Sequence, residues 1–115
     1  MTTAASSPGQ HPVHYAPATP AFRFHAWQRG LIQGETEGRP NGLLILSPQN
    51  EFDRNGPIVA MPNDPPRYQR ILYASLRELD GMGLRAIYIE VPPLRPEWAA
   101  VRDRIIRATQ PLPPS

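Results

Sequence analysis

Apolar positions fall along the chain in short runs and two longer stripes. Phe22, Phe24 and Ala26 alternate with Arg23, His25 and Trp27, the period-2 pattern of a strand with one buried face. Leu31 and Ile32 fit a short helical turn after it, and 34–42 is a polar, glycine-containing connection. Leu43 to Leu46 is a continuous apolar run closed by Ser47-Pro48. Runs of that length suit a strand covered on both faces. After a polar turn over 50–56, Ile58 to Met61 predicts another short strand.

Asn63-Asp64-Pro65-Pro66 predicts a helix start, with Asp64 capping free backbone N–H groups and Pro65 at the first helical position. Tyr68, Leu72, Leu76 and Leu79 follow on one stripe, joined by Ile71 and Ser75. Gly81 and Gly83 end this helix in a left-handed turn. Ala86 to Val91 predicts a strand broken by Pro92-Pro93. A last helix starts near Pro96-Glu97 and places Trp98, Val101, Ile105 and Ala108 on one stripe. Its Arg104 and Arg107 lie toward the C-terminus, where the helix dipole favours positive charge. Helices between strands predict a Rossmann-like α/β domain with three layers and a mostly parallel sheet over residues 21–110. It carries an extended proline-rich arm over 1–20 and a tail over 111–115.

The 115 residues, 40% of them hydrophobic, allow one core and not two. There is no cysteine, hence no disulfide and no thiolate metal site. No apolar run has membrane-spanning length, and the small, polar N-terminus lacks the features of a secretory signal. A cytoplasmic location without membrane contact is expected. All 12 basic residues are arginines, as in a GC-rich bacterial genome, and they interleave with ten acids. That mixture makes no basic stripe, so direct tRNA binding is not expected.

Candidate chemistry is sparse. A phosphate loop is missing its lysine and its glycine spacing, and Gly81-Met82-Gly83 stands between helix and strand, the reverse of a dinucleotide fingerprint. No serine stands in a nucleophile-elbow pattern. His11 and His14 are three apart, but Pro8, Pro12 and Pro17 oppose the helix that would bring them to one metal. No catalytic or metal-binding residue is assigned. Trp27 and Trp98 read as core or rim residues. Arg67, Arg70 and Arg77 read as a solvated helix face, with Arg70 and Arg77 on one side at a spacing that allows phosphate contact.

Two stretches resemble one family, the two-domain threonylcarbamoyl-AMP synthases. Ser7, Pro8, Gly9, His14, Tyr15, Ala16, Pro17 and Pro20 resemble the interdomain linker. Tyr73, Leu76, Arg77, Leu79 and Asp80 resemble a helix of the family's C-terminal domain. Ile87, Glu90 and Pro92-Pro93 resemble its strand and exit, and Asp103-Arg104 and Ala108 its ending. The resemblance implies a Rossmann-like C-terminal domain and a linker that folds over the active site of a separate catalytic domain. That domain joins threonine, bicarbonate and ATP into threonylcarbamoyl-AMP, releasing pyrophosphate, for tRNA threonylcarbamoyladenosine modification. It implies nucleotide-binding or lid roles for Ser7, Pro8, Gly9, His14 and Tyr15. It also implies ATP as the nucleotide and a separately encoded catalytic domain as partner. This chain has no room for the catalytic domain before Ser7, so it is expected to be inactive alone.

The sequence departs from the pattern in three places. Gln10 replaces the linker's Met. Pro12 and Val13 replace its first Tyr and its Arg, removing a charge-assisted phosphate contact. Leu94-Arg95-Pro96-Glu97-Trp98 replaces a glycine-rich exit. The alternative expectation is a stand-alone Rossmann-like module for a small molecule or nucleotide. Its pocket would lie outside the carboxyl ends of the strands, near Ser47, Pro62 and Val91.

Overall fold

A computed structural model describes residues 16–52 and 56–112. The linker-like residues Ser7, Pro8, Gly9, His14 and Tyr15, and with them His11, lie outside the described residues. The chain order is β1 (Ala21–Phe24), a 3-10 turn (Ala26–Leu31), β2 (Glu35–Thr36), β3 (Arg39–Pro40), β4 (Gly42–Ile45) and β5 (Ile58–Ala60). Then come α1 (Pro65–Asp80), β6 (Ile87–Glu90), a second 3-10 turn (Pro96–Trp98), α2 (Ala99–Ala108) and β7 (Gln110–Pro111).

Five strands form one sheet in the order β5-β4-β6-β1-β7. Every neighbouring pair in it is parallel, with Leu44 facing Ile89, and Phe22 facing Tyr88 on one side and Gln110 on the other. The connections through α1 and α2 step in one direction across this order, and those leaving β1 and β4 step in the other. Right-handed crossovers therefore put both helices on one face and the two loop connections on the opposite face.

The core divides accordingly. On the helix face, Tyr68, Leu72, Leu76 and Leu79 of α1 meet Val101, Ile105 and Ala108 of α2 over Leu44, Ile87 and Ile89 of the sheet. The four α1 residues have no exposed surface, so the predicted stripe is the buried one. Ile71, at its edge, is partly exposed. Asp64 caps α1 as predicted, its carboxylate accepting from the Arg67 N–H at 3.1 Å. Of the two glycines after α1, only Gly83 is left-handed, at φ 70°; Gly81 has φ −83°.

The other face is covered without an α-helix, so the outer layers are unequal. Phe24, Leu43, Ile45 and Phe52 pack there with Ile32, and Phe24 meets Phe52 edge-on at 5.9 Å. The expected polar connection contains the β2–β3 hairpin, turned by Glu37 and Gly38 at φ 54° and 78°. Positive φ at both positions is the backbone of a primed hairpin turn. Buried Asn41 fastens the hairpin, donating to the Gln33 carbonyl and the Thr36 hydroxyl, both at 2.9 Å. Close approach fixes Gly56 as glycine, because a Cβ there would sit 1.9 Å from the Asn41 carbonyl oxygen.

Both chain ends join the sheet. Pro111, expected in the tail, belongs to β7 opposite Arg23. The Arg23 guanidinium reaches the Thr109 carbonyl at 3.0 Å. The last residues of the arm dock on α1, where the Ala18 and Thr19 N–H groups donate to the Asp80 carboxylate at 3.0 and 2.8 Å.

Candidate functional site at the strand ends

The exits of β1 and β4 turn to the loop-covered face, and those of β5 and β6 turn to the helices. A parallel sheet opens a crevice at such a divergence, outside the carboxyl ends of its strands. A cleft of about 300 Å³ lies there, lined by His25 and Trp27 after β1, Leu46 and Ser47 after β4, Asn63 before α1, Glu90 at the end of β6 and Val91 through Leu94 after it. Ser47 and Val91 border it as expected. Pro62 does not; it lines a separate hollow with Met61, Arg67 and Arg70.

Glu90 ends β6 and is 4% exposed. Its Oε1 accepts the Leu46 and Ser47 N–H groups at 2.6 and 2.8 Å, and its Oε2 accepts the Ser47 hydroxyl. The carboxylate thus binds the backbone of β4's exit, where the strand ladder has ended. Among the described residues no cation pairs with it. An ionised carboxylate offers about four acceptor positions, so three bonds leave one. The Tyr68 hydroxyl is also buried and has no hydrogen-bond partner among the described residues. Burial, and after it the charge of Glu90, raises the Tyr68 phenol far above its ordinary pKa. Its ring meets Trp98 edge-on at 5.5 Å.

Two apolar side chains stand at the mouth of the cleft. Trp27 and Leu94, each 74% exposed, are the most exposed large apolar residues among those described. The Trp27 indole lies parallel to the His25 imidazole, with ring centres 4.3 Å apart. Their turn is held by the Gln28 side chain, which accepts the His25 N–H at 2.8 Å, and by Arg29, which donates to the Ala26 carbonyl at 2.7 Å and pairs with Glu51 at 3.0 Å. On the opposite rim Arg102 donates to the Pro93 and Arg95 carbonyls, the latter at 2.9 Å, flanking Leu94. Both rims are therefore braced.

A second depression, about 850 Å³ and wide open, runs along the outside of α1 and α2 between Pro65, Pro66, Arg70, Tyr73, Arg77 and Arg104, with Glu97 as its acid. It brings Arg70 and Arg77 to one groove, as their seven-residue spacing predicts, and adds Arg104. No group of three or more His, Cys, Asp or Glu suited to a metal occurs among the described residues. No helix among them is long and apolar enough to cross a membrane.

Sequence reasoning passed over Glu90 as a site residue and left Trp27 undecided between core and rim. The available signal was position: an acid closing an apolar strand, immediately before the Pro92-Pro93 break. The alternation predicts a strand running through Trp27, but β1 ends at Phe24 and Trp27 lies in the 3-10 turn that follows.

Comparison with known proteins adds one finding. No curated protein and no solved structure matches the chain. A family model described as threonylcarbamoyl-AMP synthase, C-terminal domain, matches residues 1–110. That match covers the arm, the sheet and both helices, and the chain belongs to the family of threonylcarbamoyl-AMP synthase C-terminal domains.

Proposed function

We propose that this chain is an accessory domain of threonylcarbamoyl-AMP synthesis, serving tRNA threonylcarbamoyladenosine modification and inactive by itself. The family match over residues 1–110 carries this reading. Its catalytic partner supplies the site where threonine, bicarbonate and ATP react. The arm provides Ser7, Pro8, Gly9, His14 and Tyr15 to close that site, with His14 as hydrogen-bond donor or acceptor and Tyr15 as a flat ring over phosphate or base. The anchoring of Ala18 and Thr19 on Asp80 supports a division of labour in which the domain holds the root of the arm. Prolines in the arm limit its unbound conformations, which lowers the entropy lost on closing.

The strand-end cleft does not suit ATP. Among the described residues its one carboxylate is Glu90 and no arginine lines it, so a triphosphate there would meet negative charge without a counter-charge from them. ATP is accordingly assigned to the catalytic partner. The test is Tyr15→Ala in a mixture of the full chain with a lone catalytic domain. The variant should keep the wild-type unfolding midpoint and lose most of the stimulation of pyrophosphate release. Equal stimulation by variant and wild type contradicts the lid role.

A further inference from the structure

The strand-end cleft has the parts of a small-molecule site. Its rim holds an indole backed on one face by His25 and otherwise three-quarters exposed. Such a ring is a stacking platform for a flat heterocycle. Leu94 stands on the other rim, equally exposed. Inside, Glu90 is 4% exposed and lines the cleft, with one acceptor position beyond its bonds to Leu46 and Ser47. A carboxylate in that setting selects an N–H donor and rejects an anion. Ser47 and Asn63 add neutral polar contacts. A volume of about 300 Å³ is at the small end of ligand pockets.

We propose that this cleft binds an amino-bearing nitrogen heterocycle of nucleobase size, as the free base or nucleoside without phosphate. The ring stacks on Trp27 beside Leu94, and the exocyclic amine donates to Glu90. The braced rims leave little ordering to be done on binding. Since no lysine or arginine among the described residues lines the cleft, none of them offers a nucleic-acid backbone a counter-charge there, and the free small molecule is the favoured source.

Isothermal titration of the full chain with adenosine, purine riboside and AMP tests this. Purine riboside keeps the ring and sugar but lacks the amine; AMP keeps the amine and adds a phosphate. Adenosine should bind with a Kd below about 1 mM, and purine riboside and AMP each about tenfold more weakly, as expected for losing one charge-assisted bond or adding one unpaired charge. Trp27→Ala, at an exposed position, should weaken adenosine about tenfold through lost stacking. The proposal is overturned if adenosine gives no heat at millimolar concentration, or if Trp27→Ala binds it as wild type does. It is equally overturned if AMP binds as tightly as adenosine, or if the base binds only within an RNA oligonucleotide.

Discussion

The two faces of the sheet are built by different means. One is covered by two α-helices whose apolar stripes interlock in a deep core; the other is covered by a 3-10 turn, a small hairpin and a loop around Phe24 and Phe52. Periodic side-chain burial holds the helix face, so single truncations there leave cavities. Backbone proximity and side-chain bonds to the main chain, at Gly56 and Asn41, hold the loop face. The cleft opens where the two coverings part.

Leu76→Ala should give the largest loss, about 2–5 kcal/mol, because Leu76 is fully buried among leucines that cannot collapse around the void. Denaturant unfolding measures it, and a small change would mean that the helix face is not the principal core. On the loop face, Gly56→Ala should cost about 1–3 kcal/mol by forcing the Asn41 backbone aside. If this variant were as stable as wild type, that covering would be looser than its close approach implies.

Tyr68, buried in the helix-face core, sharpens the comparison. Its raised pKa keeps the folded phenol neutral while the unfolded phenol ionises near its ordinary value of 10. The contribution is therefore complete below about pH 10 and is lost above it, by about 1.4 kcal/mol per pH unit. Tyr68→Phe should reduce that alkaline loss. At neutral pH it should change stability by less than about 1 kcal/mol, since the hydroxyl removed has no partner among the described residues. Unfolding midpoints at pH 7 and pH 11 test both halves, and an unchanged alkaline limb would contradict the assignment. The smallest effect belongs to Trp27→Ala, expected within about 0.5 kcal/mol despite the size of the side chain, because the indole is mostly in solvent. A larger loss in thermal unfolding would make Trp27 part of the fold rather than of the rim.

The same division explains what was legible in the sequence. Helix stripes and apolar runs report burial directly, so α1, α2 and the parallel strands followed from them, and the Asp64 cap from the Asp-Pro helix start. The loop-covered face carries no period. The β2–β3 hairpin has two residues per strand, and β7 pairs only Gln110 and Pro111 with β1; such pairings depend on distant partners. The cleft was legible as a place, through Ser47 and Val91, because strand order follows from chain order. Its chemistry was not, since Glu90 binds the backbone just past β4, more than 40 residues away in sequence. The arm residues were legible only through the family pattern, having no periodic signal of their own.

Pyrophosphate release from ATP with threonine and bicarbonate bears most directly on the central claim, measured for the full chain alone and for the chain mixed with a lone catalytic domain. The account predicts no release by the chain alone and a mixture that exceeds the catalytic domain by itself. Release by the chain alone, or a mixture no faster than the catalytic domain, would contradict it.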